Sequence, residues 1–319
     1  MSEFLWRRDL GRALETAPVF CQGDWLAAVT EASVVRLAGE TGETVWKHKL
    51  PASPRQAPVM TGSVAVLCTD LDEPVVLALD LATGREVWRR ELYLGLAAAS
   101  DSVLVATSRQ GTVARLHPGT GEEVWRIELE GAGWRAPVIR TSDTLAVFSV
   151  RPDSVVALDL RTGDRRWSVR VGAWPRPGSG PILAVAADDS TLVVLAPESG
   201  EVRSRYRLPA MAAGAPVSDD GTVYLAVRDG TVLALEGSSG APRWAVVLDP
   251  PLLSGPCLAE TTLYQSGSAG MVYGISRESG QSWPEAVATE RILASPAVAA
   301  DHLAVPGAEG TLTLFRRKP

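Results

Sequence analysis

The stretch Ala78–Leu92, ALDLATGREVWRREL, returns in altered form at Ala157–Val171 as ALDLRTGDRRWSVRV. Related segments, each centred on a Thr-Gly or Ser-Gly pair, occur along the whole chain. Their glycines are Gly42, Gly84, Gly121, Gly163, Gly200, Gly240 and Gly280. The spacing is about 40 residues, a period typical of arrays of small β-sheets. A repeat of this kind, rather than chain length, decides the number of domains.

Each repeat contains four short apolar runs separated by turns. In residues 215–248, APVSDDGTVYLAVRDGTVLALEGSSGAPRWAVVL, the runs are divided by DDG, RDG and SSG. Glycine supplies the left-handed backbone conformation that such tight turns require. The alternation of the runs predicts four antiparallel strands per repeat, and no long stretch has helical periodicity. The sequence therefore predicts an all-β fold.

Tryptophan recurs four residues after the glycine in most repeats. The fifth repeat has Ser204 at this position, and the seventh has its tryptophan one residue early. A large aromatic side chain at regular spacing is best explained as packing between neighbouring repeats. We assign this structural role to Trp6, Trp46, Trp88, Trp125, Trp167, Trp244 and Trp283.

The two ends of the chain complement each other. The last repeat, SPAVAADHLAVPGAEGTLTLF, supplies three strands, and the N-terminal SEFLWRRDL resembles a fourth strand with Trp6 in the tryptophan position. Closing an array of four-stranded sheets into a ring gives a β-propeller, with an eighth blade from residues about 292–316 and about 3–10. We therefore predict one eight-bladed propeller domain over residues 1–319.

The pattern A-x-D-x-x-T-G-x-x-x-W at residues 78–88 and 157–167 resembles the repeat of PQQ-like, quinoprotein-type β-propellers. The resemblance covers the whole chain and is greatest to the eight-bladed, non-enzymatic BamB-like members. It implies that each tryptophan lies flat against backbone of the adjacent blade. WD40-like propellers share the architecture, but the Gly-His to Trp-Asp spacing of WD40 repeats does not occur. Because one fold serves many functions, the resemblance predicts architecture better than activity.

Composition restricts the partners. The net charge of -6 argues against nucleic acid, and no run approaches the ~20 apolar residues of a membrane span. The segment MSEFLWRRDLGRALE has neither the apolar core of a signal peptide nor a lipobox cysteine. As written it predicts a cytoplasmic protein, or a periplasmic one if an upstream signal was removed.

No catalytic or metal-binding motif stands out. The cysteines are too scattered for a ligand or redox pair, and no two histidines have metal-ligand spacing. These residues are Cys21, Cys68, Cys257, His48, His117 and His302. We predict no catalytic residues, no metal and no cofactor. The resemblance to quinoproteins leaves an oxidoreductase as a third alternative, which the lack of adjacent cysteines and of long insertions disfavours.

The connectors between blades carry the candidate binding residues. In a propeller, the connectors into the first strands open on one face around the central channel. They place arginines and tryptophans near one mouth: Arg12, Arg55, Trp134, Arg135, Trp174, Arg176 and Arg291. Guanidinium groups bind carboxylates through paired hydrogen bonds, and tryptophan beside arginine is typical of interaction hot spots. Alternatively, these are solvated charges paired with neighbours such as Glu15 and Glu290.

Two main functions remain. The first is a monomeric protein–protein interaction scaffold, with an acidic peptide segment as candidate partner, because the chain is nearly all propeller. The second is a sensor that binds an anionic small molecule or PQQ at the arginine-rich mouth. The sequence does not identify the partner.

Overall fold

The computed structural model describes residues 1–69, 75–91, 96–100, 103–108, 111–132, 138–139, 144–188 and 190–317. These residues form eight four-stranded antiparallel sheets and no helix. The sheets are the blades of an eight-bladed β-propeller, which confirms the predicted fold class.

The strand bounds follow the repeats. Strand β1 (Glu3–Asp9) belongs to the eighth blade. Blade 1 consists of β2 (Val19–Cys21), β3 (Asp24–Val29), β4 (Ser33–Ala38) and β5 (Thr44–Lys49), and blade 2 of β6 (Val59–Thr61), β7 (Val64–Cys68), β8 (Val75–Asp80) and β9 (Glu86–Glu91). Blade 3 consists of β10 (Leu96–Ser100), β11 (Val103–Thr107), β12 (Thr112–Leu116) and β13 (Glu123–Glu128), and blade 4 of β14 (Val138–Ile139), β15 (Leu145–Val150), β16 (Ser154–Asp159) and β17 (Arg165–Arg170).

The second half repeats this plan. Blade 5 consists of β18 (Arg176–Pro177), β19 (Leu183–Ala187), β20 (Thr191–Leu195) and β21 (Val202–Arg207), and blade 6 of β22 (Val217–Ser218), β23 (Thr222–Ala226), β24 (Thr231–Glu236) and β25 (Pro242–Val247). Blade 7 consists of β26 (Cys257–Leu258), β27 (Thr262–Ser266), β28 (Met271–Ser276) and β29 (Ser282–Val287), and blade 8 of β30 (Ala297–Ala299), β31 (His302–Pro306) and β32 (Thr311–Arg316) together with β1.

The eighth blade joins both ends of the chain, as predicted. Strand β1 pairs antiparallel with β32, and Trp6 lies opposite Leu314. The Ser2 N–H donates to the Glu285 carbonyl of blade 7 at 2.8 Å, and the Ser2 hydroxyl donates to the largely buried Glu285 carboxylate. The N-terminal strand therefore completes the blade and also contacts its neighbour.

The hydrophobic core is divided into eight layers, one between each pair of neighbouring blades. The layer between blades 8 and 1, for example, contains Trp6 and Trp25, and that between blades 3 and 4 contains Phe148. Strands buried on both faces read as continuous apolar runs, which explains VVLAL in β8 and TVYLA in β23. The blades thus depend on one another for burial of their faces.

Tryptophans of the outermost strands join six of the blade interfaces. Each indole N–H donates to a backbone carbonyl of the next blade. The pairs are Trp6 with Gly39, Trp46 with Leu81, Trp88 with Pro118, Trp125 with Leu160, Trp167 with Pro197 and Trp244 with Arg277, at 2.7–2.9 Å. The ring covers the turn glycine: a Cβ atom at Gly84, where φ is +68°, would lie 2.5 Å from Trp46 Cδ2. Both the left-handed turn and the indole therefore require glycine there.

Trp283 makes a different contact, which corrects its expected place in this set. It lies opposite Gly274 of its own blade, so close that a Cβ atom there would be 2.5 Å from the ring, and its N–H donates to Glu285. The blade that follows is blade 8, whose two outer strands, β32 and β1, come from opposite ends of the chain. No glycine turn joins β32 to β1, so the platform that the other tryptophans use is missing.

The interface between blades 5 and 6 is closed by other means. Ser204 Oγ is buried without a hydrogen-bond partner among the described residues, and a Cβ atom at Gly240 would be 2.7 Å from it. The inner strands instead come together through a parallel bridge between Ser179 and Val217. The Ser218 hydroxyl lies within 3.2 Å of the carbonyls of Ser179 and Ile182. Backbone contact thus replaces the indole at this seam.

Removal of the closing strand should destabilise the ring. Deleting residues 1–10 leaves the edge of β32 exposed, which favours association with other chains. We expect a melting temperature lower by at least several degrees and aggregates in size-exclusion chromatography. Trp6→Ala, which keeps the strand but loses the indole, should cost about 3–5 kcal/mol in urea unfolding. A truncated protein that stays monomeric and melts within a degree or two of the intact chain would contradict this closure.

Exchange of tryptophan and serine between the two kinds of seam should destabilise the protein in both cases, for different reasons. Trp167→Ser leaves a cavity between blades 4 and 5 and should cost about 3 kcal/mol or more. Ser204→Trp forces an indole into a seam already closed at its inner strands and should cost about 1–3 kcal/mol. Ser204→Ala is the control and should be nearly neutral in urea unfolding. A protein stabilised by Ser204→Trp would contradict the closure of this interface by backbone contact.

Candidate binding sites on the propeller faces

A cavity of about 850 Å³ opens at the channel mouth. It is lined by the connectors and first-strand residues of blades 1, 2, 5, 6, 7 and 8. The lining residues are 15–17, 54–57, 176, 177, 179, 213–217, 253–256 and 293–295. The mouth therefore collects short segments from many repeats, as predicted for the face onto which these connectors open.

Among the described residues, three charged side chains line this cavity: Glu15, Arg55 and Arg176. Arg176 begins β18; its side chain is only 14 % exposed, and its Nη2 lies 2.7 Å from Asp188 Oδ1. Its Nη1 also donates to the Ala212 carbonyl at 3.2 Å. Arg55 is positioned by its backbone N–H, which donates to the Cys68 carbonyl at 2.8 Å. The Arg176 guanidinium is thus held by an ion pair, and the backbone of Arg55 is held by a hydrogen bond to its own blade.

Most of the lining from blades 6 to 8 is small. A Cβ atom at Gly214 would lie 2.3 Å from the Gly255 backbone nitrogen, so these two connectors touch through their backbones. Ser295 of blade 8 donates to the Gly255 carbonyl at 2.8 Å. The larger lining side chains in this part of the mouth, such as Leu253 and Leu293, are apolar. The charged groups of the described lining therefore come from the connectors and first strands of blades 1, 2 and 5.

Arg12 and Arg291 do not line the cavity, contrary to the predicted convergence. Arg12 pairs with Glu31 at 2.5 Å, and its backbone passes Gly310. The Arg291 carbonyl accepts the Ala308 N–H at 2.8 Å. Both arginines occur early in connectors that run from the rim to the axis, so they lie beside the β31–β32 turn, whereas Arg55 comes just before its first strand. Trp134 and Arg135 lie outside the described residues.

Trp174 lies in a separate cavity of about 490 Å³, with Glu130, Gly131, Arg151 and Pro152. The Arg151 guanidinium carbon is 5.4 Å from the indole centroid, a cation–π distance. Trp174 is 42 % exposed and has φ of +49°, an uncommon conformation for a residue with a side chain. Sequence reasoning missed Arg151, although the turn between β15 and β16 opens on this same face.

A third cavity, of about 530 Å³, lies on the opposite face between blades 6 and 7 and contains Asp219, Tyr224 and Arg277. Arg277 pairs with Asp219, and the Tyr224 hydroxyl donates to Asp219 at 3.0 Å. Burial raises the pKa of the Asp219 carboxyl, but hydrogen bonds from the Gly221 N–H and Arg277, among others, outweigh burial and leave that pKa below its ordinary value. These charges satisfy one another, which indicates a structural network.

Other kinds of site were sought in the described part of the chain. No group of three or more His, Cys, Asp or Glu side chains there could hold a metal ion. Nor do these residues include a helix long and apolar enough to span a membrane.

Solved structures with similar folds cover nearly the whole chain. BamB from Moraxella catarrhalis is 19 % identical, with a TM-score of 0.81, covering 99 % of this chain and 100 % of that one. Sqt1 from Saccharomyces cerevisiae is 12 % identical, with a TM-score of 0.83 and complete coverage of both chains. Quinohemoprotein alcohol dehydrogenase from Comamonas testosteroni is 13 % identical, with a TM-score of 0.78, covering 99 % of this chain and 77 % of that one. At these identities the likeness shows the fold alone, and an enzyme is among the neighbours.

The family comparison is more specific. A search of curated proteins gave no match. The family model described as outer membrane protein assembly factor BamB, however, matches residues 3–93, 72–170 and 151–313. Because these ranges together span nearly the whole chain, the resemblance inferred from the repeats is confirmed, and the protein belongs to the PQQ-repeat family described as outer membrane protein assembly factor BamB.

Proposed function

We propose that this protein is a non-catalytic, monomeric interaction scaffold whose channel mouth binds a carboxylate-bearing segment of a protein partner. The observation that carries the proposal is the cavity of about 850 Å³ in which Arg55 and Arg176 lie over a lining of mostly small residues. A guanidinium group recognises a carboxylate through two parallel hydrogen bonds. The small residues of blades 6 to 8 leave room for a chain segment beside them.

Family and chemistry both support a partner rather than a substrate. The description of the family as an assembly factor fits a function exerted through other proteins. Among the described lining residues, Glu15, Arg55 and Arg176 are the only ionisable side chains. Arginine is unsuited to general acid–base catalysis, which leaves Glu15 as the one described lining side chain that could exchange a proton, without a second such group beside it. The mouth is therefore equipped for recognition.

Arg55→Glu should weaken partner binding without unfolding the ring. Hydrogen bonds to charged groups contribute about 1.5–3 kcal/mol, so we expect the Kd for a partner purified from the native host to rise at least about ten-fold. The matched control is Arg291→Glu, the same charge change on an exposed arginine outside the cavity. Titration calorimetry with both variants provides the measurement. Equal losses for both variants would exclude the channel mouth as the binding surface.

A second candidate function is binding of an anionic small molecule, such as PQQ, in the same cavity. Its volume falls within the range of about 300–1,000 Å³ found for small-molecule sites. Thermal denaturation with PQQ and Ca²⁺ separates the candidates, because a ligand at 100 times its Kd stabilises the folded state by about 2.7 kcal/mol. We expect a shift below about one degree. A shift of several degrees that Arg55→Glu abolishes would establish the ligand-binding alternative.

The cellular compartment follows from the same proposal. The family description as an outer membrane protein assembly factor supports the periplasmic alternative over the cytoplasmic one. Fractionation of host cells with an antibody against the protein decides between the two compartments.

A further inference from the structure

The outermost strands of blades 4 and 5 have an unusual charge. Strand β17 reads RRWSVR and β21 reads VRSRYR, so each carries three arginines and no carboxylate. All six guanidinium-bearing residues are exposed. They form a surface that we term the arginine edge: Arg165, Arg166, Arg170, Arg203, Arg205 and Arg207. This surface lies on the circumference of the ring, away from the channel mouth.

The outermost strands of other blades carry fewer positive charges or charges of both signs. Strand β5 (TVWKHK) has two lysines and no carboxylate, and β25 (PRWAVV) has one arginine and no carboxylate. The exposed positions of β9 and β13, in blades 2 and 3, carry both signs of charge. In β9, Arg89 pairs with Glu86 at 2.6 Å, and in β13, Arg126 lies 3.5 Å from Glu123. Charged side chains on an edge strand are a common protection against association, and mixed charges already provide it there. No other outermost strand of the described chain carries three arginines, and protection against association alone does not require so many on two adjacent edges.

Some of these arginines have partners within the chain. Arg166 pairs with Asp159, and Arg205 donates to the carbonyls of Arg170 and Val171, each at 3.2 Å, which links blade 5 to blade 4. Arg170 lies 3.7 Å from an Asp153 oxygen, yet its side chain is 87 % exposed.

The charge of the edge is only partly compensated. Among the described residues, no carboxylate lies within ion-pair distance of Arg165 or Arg203. A net positive strip therefore persists on a protein whose net charge is -6.

We propose that the arginine edge binds an acidic, extended segment of a partner protein, which adds to the free edge of β21 as a further strand. Strand β21 is the last strand of its sheet, so one row of its N–H and C=O groups faces outward. Its exposed arginines alternate with half-buried residues. Alternate residues of a strand are about 6.6–6.8 Å apart, so carboxylates at alternate positions of an added strand would match them.

The same features select against other occupants. A second copy would bring its own arginines to the same place, and like charges directly opposite each other destabilise strand pairing. Glu198 and Glu201 are exposed in the turn that leads into β21, so the positive strip ends after about six residues, or ~20 Å. A short acidic segment fits within this length. A long polyanion or an anionic membrane would meet the negative charge beyond it.

The test uses synthetic peptides and the intact protein. Fluorescence anisotropy measures binding of an acetylated octapeptide of alternating Glu and Thr, in parallel with an isomer whose glutamates are consecutive. We expect the alternating peptide to bind at least about ten-fold more tightly, because only it places its carboxylates on one face of a strand. An alternating peptide with N-methylated amides should lose binding, because it cannot complete the backbone ladder. Equal binding of all three would overturn strand addition.

Protein variants locate the site. Arg203→Glu with Arg207→Glu should reduce binding at least about ten-fold, and the neutral pair Arg203→Gln with Arg207→Gln should reduce it less. The matched control is Lys47→Glu with Lys49→Glu, two exposed lysines of the outermost strand of blade 1, which should leave binding unchanged. Arg55→Glu reports any binding of the peptide at the channel mouth: a loss of about ten-fold with this variant but not with Arg203→Glu and Arg207→Glu would place the peptide at the mouth and refute the proposal. Loss in the lysine control, or tight binding of heparin or anionic vesicles but not of the peptide, would refute the proposal.

Discussion

The contact between a tryptophan of one blade and the glycine turn of the next is the interaction on which the ring depends. In the described part of the chain, the buried apolar residues fall into eight layers between neighbouring blades instead of one common core. Each docked indole buries apolar area on such a layer and satisfies its N–H on a backbone carbonyl. A closed ring distributes this contact around the axis and holds the connectors at the channel mouth in fixed positions.

Departures from this contact shape the mouth. Between blades 5 and 6, Ser204 takes the tryptophan position, and the inner strands meet through Ser179 and Val217. Beyond that seam, Gly214 and Gly255 bring the next two connectors into backbone contact. Among the described lining residues, blades 6 to 8 contribute no charged side chain, whereas blades 1, 2 and 5 contribute Glu15, Arg55 and Arg176, so this lining is asymmetric in charge. An asymmetric mouth can fix the direction in which a partner segment lies.

Two separate surfaces of this acidic protein carry arginine side chains. Arginines occupy the channel mouth and the circumference of blades 4 and 5. A rigid ring that presents two separated positive surfaces suits a protein that holds acidic segments, since neither surface has to rearrange to bind.

The repeats by themselves determined the all-β fold, the strand count of each blade and the closure by both chain ends, because turn glycines and apolar alternation act over a few residues. The sequence also placed Trp6 in the closing strand. Only the tertiary structure decided which connector residues reach the axis: Arg55 and Arg176 do so, whereas Arg12 and Arg291 lie near the rim. The distance of a side chain from the axis depends on the radial path of its connector, and no local pattern encodes that path.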